Sequence, residues 1–118
     1  MIKIILLLHI LLELGAGLTF VFFPQAFPGL ENINGQALSL LKSYGYAAIG
    51  VGSLGVVALL NYYKEGALPV ALFTLGVFHT CIALAQINSP LVPNMQIEPM
   101  ILHGLIGAAS WFYYWKER

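Results

Sequence analysis

Charge is what this sequence has least of. Five basic and five acidic residues make up 8% of the chain and cancel, against 59% hydrophobic residues. A soluble domain carries about a quarter charged residues, so ten ionic groups cannot solvate a surface of this size and lipid is the expected solvent. The neutral balance excludes an electrostatic grip on nucleic acid. Cysteine is nearly absent too: Cys81 stands alone, which excludes an intrachain disulfide and leaves the redox compartment open. No H-E-x-x-H, C-x-x-C or C-x-x-C-H occurs, and no Ser–His–acid order is recognisable. Nothing here supports reading the chain as an enzyme.

What is abundant is uninterrupted apolar sequence. Four runs have spanning length: Ile2–Phe23, about Ala37–Tyr62, Ala67–Ile87 and about Met100–Trp115. At ~1.5 Å per residue, about twenty residues cross the ~30 Å hydrocarbon core. The fourth run is short, and Trp111, Tyr113, Tyr114 and Trp115 finish it at the interface. Backbone groups in lipid must bond within their own segment, and continuous apolar runs lack a barrel's alternation. The expected fold is therefore all-α, a transmembrane four-helix bundle running up-down-up-down as one membrane domain over 1–118. Met1-Ile2-Lys3 before an apolar run resembles a signal peptide, but the run outlasts a typical signal core, so it reads as a retained first helix.

Turn residues separate the runs. Pro24, Pro28, Gly29, Asn32, Asn34 and Gly35 make the first loop, Asn61 to Gly66 a short turn, and Asn88 to Pro99 a proline-rich third connection. Pro69 fits the first turn of helix 3, where a missing N–H costs little. With this connectivity Lys3, Lys64, Lys116 and Arg118 share one side and Lys42 stands on the other. Basic residues collect in the cytoplasm, so both termini are expected there, in the cell membrane of a bacterium (the inner one). Tyr62, Tyr63 and Trp111 to Trp115 form an aromatic belt on the same side.

Gly50-Val-Gly52-Ser-Leu-Gly55 matches the dinucleotide fingerprint G-x-G-x-x-G. That motif needs a strand-to-helix turn, and here it lies inside an apolar helix. Small residues let helices approach closely in lipid, so helix packing is the reading, repeated by Ala48 with Gly52 and by Gly104 with Ala108.

The polar residues fall in stripes. His9 and Glu13 share a face of helix 1; helix 2 carries Ser39, Ser43, Tyr46, Gly50 and Ser53; helix 3 Gly76, His79, Ala83 and Gln86; helix 4 His103, Gly107, Ser110 and Tyr114. Lipid penalises such stripes, so each is expected to face inward. Measured from the non-cytoplasmic side, Glu13 lies about 15 Å deep, His79 about 12 Å, His103 about 7 Å and Tyr44 to Tyr46 about 9–12 Å. His9 is deeper, at about 21 Å. Glu13, His79, His103 and a tyrosine are thereby expected at one level. An intramembrane carboxyl costs about 2.5–3.5 kcal/mol on insertion scales and is a functional candidate; interhelical hydrogen bonding is the structural alternative for it and for each histidine. Imidazole also suits zinc, copper, iron and haem, so neither the metal nor the cofactor is specified.

Glu13-Leu-Gly15-Ala-Gly17 leading to Phe22-Phe23-Pro24, with Tyr44-Gly45-Tyr46-Ala-Ala-Ile-Gly50, resembles the small uncharacterised bacterial four-helix membrane proteins grouped as DoxX-like. That resemblance implies a four-helix bundle and no settled activity. Ile10-Leu-Leu-Glu13 is also similar to small multidrug resistance transporters, whose early glutamate exchanges protons for cationic substrates. The long first loop, the three histidines and the missing aromatic and glycine motifs of helices 2 and 3 depart from them. Three functions follow as expectations. The first is binding of a small hydrophobic or redox ligand (quinone, lipid, haem or metal) at Glu13, His79, His103, Tyr44, Tyr46 and His9. The second is proton-coupled transport through Glu13, and the third a non-catalytic subunit of a homo-oligomer or larger membrane complex.

Overall fold

A computed structural model describes residues 1–27, 30–88 and 97–118. It is helical throughout: α1 spans Ile2–Phe22, α2 Gly35–Leu60, α3 Ala67–Asn88 and α4 Ile97–Glu117. Each helix matches an expected apolar run to within about a turn. The first loop opens on a 3-10 turn at Pro24–Ala26, while Pro28 and Gly29 lie outside the described residues. Between α2 and α3 the Lys64 amide donates to the Asn61 carbonyl at 2.8 Å. Gly66 then takes φ +78°, a left-handed angle that side chains resist.

One boundary differs. Glu98 and Pro99, expected in the third connection, belong to the first turn of α4. The first amides of a helix have no intrahelical partner, so a proline there forfeits nothing, and an acidic side chain meets the positive end of the helix dipole. Pro69 occupies the same kind of place in α3. Pro90 and Pro93 lie outside the described residues.

Three of the helices, α1, α2 and α3, are long and apolar enough to cross a membrane. The fourth has comparable length, but His103, Ser110 and its tryptophans and tyrosines lower its hydropathy.

The chain forms two compact units, Leu6–Leu60 and a second made of Met1–Ile5 with Asn61–Arg118. In the first, α1 and α2 run antiparallel, with Gly45 opposite Gly17, Gly52 opposite Leu14 and Gly55 opposite His9. A Cβ on Gly17 would stand 2.8 Å from the Gly45 carbonyl oxygen and 3.0 Å from the Ile49 amide nitrogen. Backbone meets backbone here, and only glycine permits it. The buried face of α2 is accordingly Gly45, Ala48, Gly52, Gly55 and Ala58.

That face corrects the expectation for α2. Ser39, Ser43, Tyr46, Gly50 and Ser53 are all exposed. The Ser43 and Ser53 hydroxyls donate to the carbonyls of Ser39 and Ile49, four residues back. A hydroxyl satisfied within its own helix loses its reason to face inward. Gly52 and Gly55 pack as the fingerprint's structural reading requires, whereas Gly50 has nothing within 4 Å of a Cβ position.

In the second unit α3 and α4 are antiparallel and meet through side chains. The Trp111 ring lies across Gly76, and its indole N–H donates to Thr80 Oγ1 at 3.1 Å. Phe73 packs edge-on to Trp111 at 5.4 Å and tilted against Tyr114 at 5.5 Å. Gly107 sits against Thr80 and His79. Gly104 has no such neighbour and Ala108 is exposed, so the packing expected of that pair falls to Gly107 instead.

Candidate functional site

Two groups of buried polar side chains stand out, one in each unit. In the α1–α2 unit both His9 and Glu13 are buried, Glu13 to 1% exposure. Their spacing of four residues stacks them on one face of α1. The His9 imidazole rests on Gly55, where a Cβ would come within 2.6 Å of the ring, and its Nε2 lies 3.0 Å from the Val51 carbonyl oxygen. A carbonyl only accepts, so Nε2 carries a proton and donates it. In a neutral ring Nδ1 is then the acceptor nitrogen. The glycine and the imidazole are one device, since a side chain at 55 would evict the ring.

Tyr44 is half-buried in the same unit, its ring 5.8 Å from Phe20 and its hydroxyl within electrostatic reach of Glu13. Tyr46 points away, at 63% exposure. Of the two tyrosines singled out from the sequence, only Tyr44 joins a buried polar group.

In the α3–α4 unit His79 and His103 are both buried, and their Nδ1 atoms are 2.8 Å apart. Antiparallel pairing sets Gly107 against His79 and Thr80, and His103, one turn before Gly107 on α4, meets His79 through its ring. The ring centroids are 5.0 Å apart and the planes 35° from parallel. Adding one ring radius at each end of the N···N distance nearly exhausts that separation. The two nitrogens therefore point at each other, along a near-linear hydrogen bond. For one metal ion to bind both Nδ1 atoms their lone pairs would have to converge on a third point, so the rings would have to turn. A metal or haem iron on an Nε2 needs no such turn, and a ligating histidine commonly donates its other N–H to a neighbour.

Such a bond dictates tautomers. One neutral ring must carry its proton on Nδ1 and the other on Nε2, so their Nε2 atoms are one acceptor and one donor. Beside them Ser110 is buried with its hydroxyl donated to the Ile106 carbonyl at 2.8 Å, and Tyr113 is buried one turn on.

Several contacts at these sites carried no sequence signal. Gly55 and Val51 as the seat of His9, and Thr80 as the acceptor for Trp111, depend on the facing of two helices. Neither a protein-family model, nor a curated protein, nor a solved structure matches this chain.

Proposed function

We propose that this chain is an integral membrane protein, crossing the bilayer four times with both termini cytoplasmic, that binds a small hydrophobic or redox ligand through its buried histidines. Three helices of spanning length and composition support the membrane setting. The rim of the second unit supports the orientation. Lys3 lies 4.8 and 4.7 Å over the Tyr62 and Tyr63 rings, and the Arg118 guanidinium 5.2 Å over Trp115. Aromatic rings joined to basic side chains are the usual tenants of a cytoplasmic interface.

The observation that carries the ligand reading is the His79–His103 pair. Buried imidazoles suit a quinone or hydroxylated lipid as hydrogen-bond partners, or haem iron or Zn²⁺ as ligands. Full-length protein in nanodiscs is expected to retain a cofactor spectrum or metal, or to bind a short-chain quinone, haem or Zn²⁺ saturably. His79→Ala is expected to weaken that affinity at least tenfold. Protein with no metal, no absorption and no saturable binding of these probes would overturn the reading.

A second reading, proton-coupled transport, is favoured by Glu13. This carboxyl is buried in the α1–α2 unit with Tyr44 in electrostatic reach, and an ionisable side chain in lipid marks proton or substrate paths. Cation flux in proteoliposomes that ignores both a pH gradient and Glu13→Gln would eliminate it.

A further inference from the structure

We infer that the cleft between the start of α3 and the end of α4 binds an anionic phospholipid from the leaflet on the side of Lys3 and Arg118. The inference rests on the membrane setting of the proposed function and is independent of the buried histidines.

The cleft lies wholly within the second unit. It is lined by Pro69, Val70 and Phe73 of α3, by Tyr114 of α4 and by Arg118 just past its end, and has a volume of about 330 Å³. Sequence spacing accounts for its shape, since residues three and four apart share a helix face. The Arg118 amide donates to the Tyr114 carbonyl at 3.1 Å, so 114 and 118 keep that helical relation. Phe73 packs against Trp111 and Tyr114 at the inner end, which gives the cleft an aromatic floor. Val70 is 67% and Phe73 47% exposed, so the cleft is open along its length and suits an extended chain rather than an enclosed molecule.

The mouth is cationic. Of the lining side chains only Tyr114 and Arg118 are polar, and Arg118 alone is charged. Its guanidinium lies 6.0 Å over the Tyr114 ring and 5.2 Å over Trp115. Aromatic faces rather than a carboxylate hold it, which leaves its N–H edge for a phosphate, whose oxygens it can bind two at a time. At ~1.5 Å per residue Arg118 stands about 6 Å beyond Tyr114, a cation at headgroup level above an apolar lining at acyl level. The helix ends do not set the sign, because the positive end of α3 and the negative end of α4 meet here and offset each other. Side chains do: the rim carries Lys3, Lys64, Lys116 and Arg118 against Glu65 and Glu117.

An acyl chain gains little by leaving the bilayer for this groove, since lipid tails are as apolar as its lining. Selection among lipids therefore falls to the headgroup. A zwitterionic headgroup brings its own cation to its phosphate and competes with Arg118, whereas an anionic one does not. The expected occupant is selected by charge and tolerated at any chain length.

Native mass spectrometry of the full-length protein in mild detergent, titrated with phosphatidylglycerol and with phosphatidylcholine of identical chains, tests the site. Phosphatidylglycerol is expected to bind about fivefold more tightly, the equivalent of about 1 kcal/mol for one basic side chain at an anionic surface. Arg118→Gln should erase that preference, and Val70→Trp should weaken both lipids by filling the cleft. Lys116→Gln removes the same charge from the same turn but outside the lining, and should keep most of the preference. Equal binding of the two lipids to the wild-type protein would overturn the site even where a variant does not fold. Lys116→Gln matching Arg118→Gln would overturn it as a diffuse charge effect, and so would undiminished binding in Val70→Trp. Alkaline carbonate extraction of native membranes separates this inference from the one beneath it. A chain released to the supernatant removes the membrane setting and the site together, whereas a retained chain that binds both lipids alike removes the site alone.

Discussion

The two helical units close in opposite ways. In Leu6–Leu60 the helices meet through glycine, with Gly17 and Gly45 placing backbone against backbone. In the unit holding α3 and α4 they meet through side chains, an imidazole pair and an indole bonded to threonine. In the membrane setting proposed above, lipid would supply no hydrophobic drive between helices, so contact would come from close van der Waals approach or from hydrogen bonds. Each unit leans on one of these. Backbone approach is dense and leaves the polar groups of α1 little freedom: His9 is seated on Gly55 and bonded to a carbonyl. Side-chain approach keeps its polar groups bonded to each other, which is where exchangeable protons and ligands find chemistry.

The sharpest way to break this contrast is to put a methyl group on each kind of glycine. At Gly17 the new Cβ meets backbone atoms at 2.8 and 3.0 Å, and backbone cannot step aside cheaply. Gly17→Ala is expected to destabilise the protein by about 2–3 kcal/mol, the upper range of overpacking. Gly15, two residues away in the same helix, has nothing within 4 Å. Gly15→Ala is expected to be neutral or to stabilise by up to about 1 kcal/mol through helix propensity. Steric-trapping unfolding in bicelles measures both. Equal effects at 15 and 17 would mean that α1 and α2 do not close on their backbones.

The second unit should respond to lost hydrogen bonds instead. His103→Leu removes the Nδ1 partner of His79 and is expected to cost about 1–3 kcal/mol, the penalty for disrupting a buried polar contact. Replacing both histidines with leucine should recover much of that, because apolar pairs of similar size leave no polar group to desolvate. A double-mutant cycle checks it, and strictly additive losses would mean the two rings are not coupled. The double variant is informative for function too: restored stability with ligand binding lost would separate the pair's chemistry from its structural role.

The helices were legible because apolar runs end at proline, glycine and asparagine, residues whose backbone chemistry stops a helix wherever it occurs. Glu98 and Pro99 were misassigned because a proline in a loop and a proline in a first turn look alike in sequence. The inward faces of α3 and α4 were readable from His79 and His103, whose rings bond across the two helices, whereas Ser110 is buried although its hydroxyl bonds its own helix as the exposed serines of α2 do. On α2 the same reasoning failed, since its serines bond their own helix and its glycines decide the contact by having no side chain. Residue types named the buried polar side chains His9, Glu13, His79 and His103. The seat of His9 and the opposing tautomers of the histidine pair needed the facing of helices, which no one-dimensional pattern encodes.

The smallest expected effect lies at the exposed rim of the second unit, where Lys3 donates from Nζ to the Tyr63 hydroxyl at 2.9 Å. That hydrogen bond, reinforced by the charge of the ammonium, lowers the Tyr63 pKa from its ordinary value of 10.0. An acid lowered in the folded state contributes stability that is fully present above its unfolded pKa and is lost as pH falls through the folded value. Stability from this pair should therefore rise with pH only in the window just below 10, and solvent and salt keep the change small. Phenolate absorbance resolves it: an early-ionising tyrosine should vanish in Tyr63→Phe and return to the ordinary range in Lys3→Met. An early component that persists in Lys3→Met would detach α1's first turn from the Asn61–Gly66 turn. The side-chain-mediated character of the second unit would then be confined to α3 and α4.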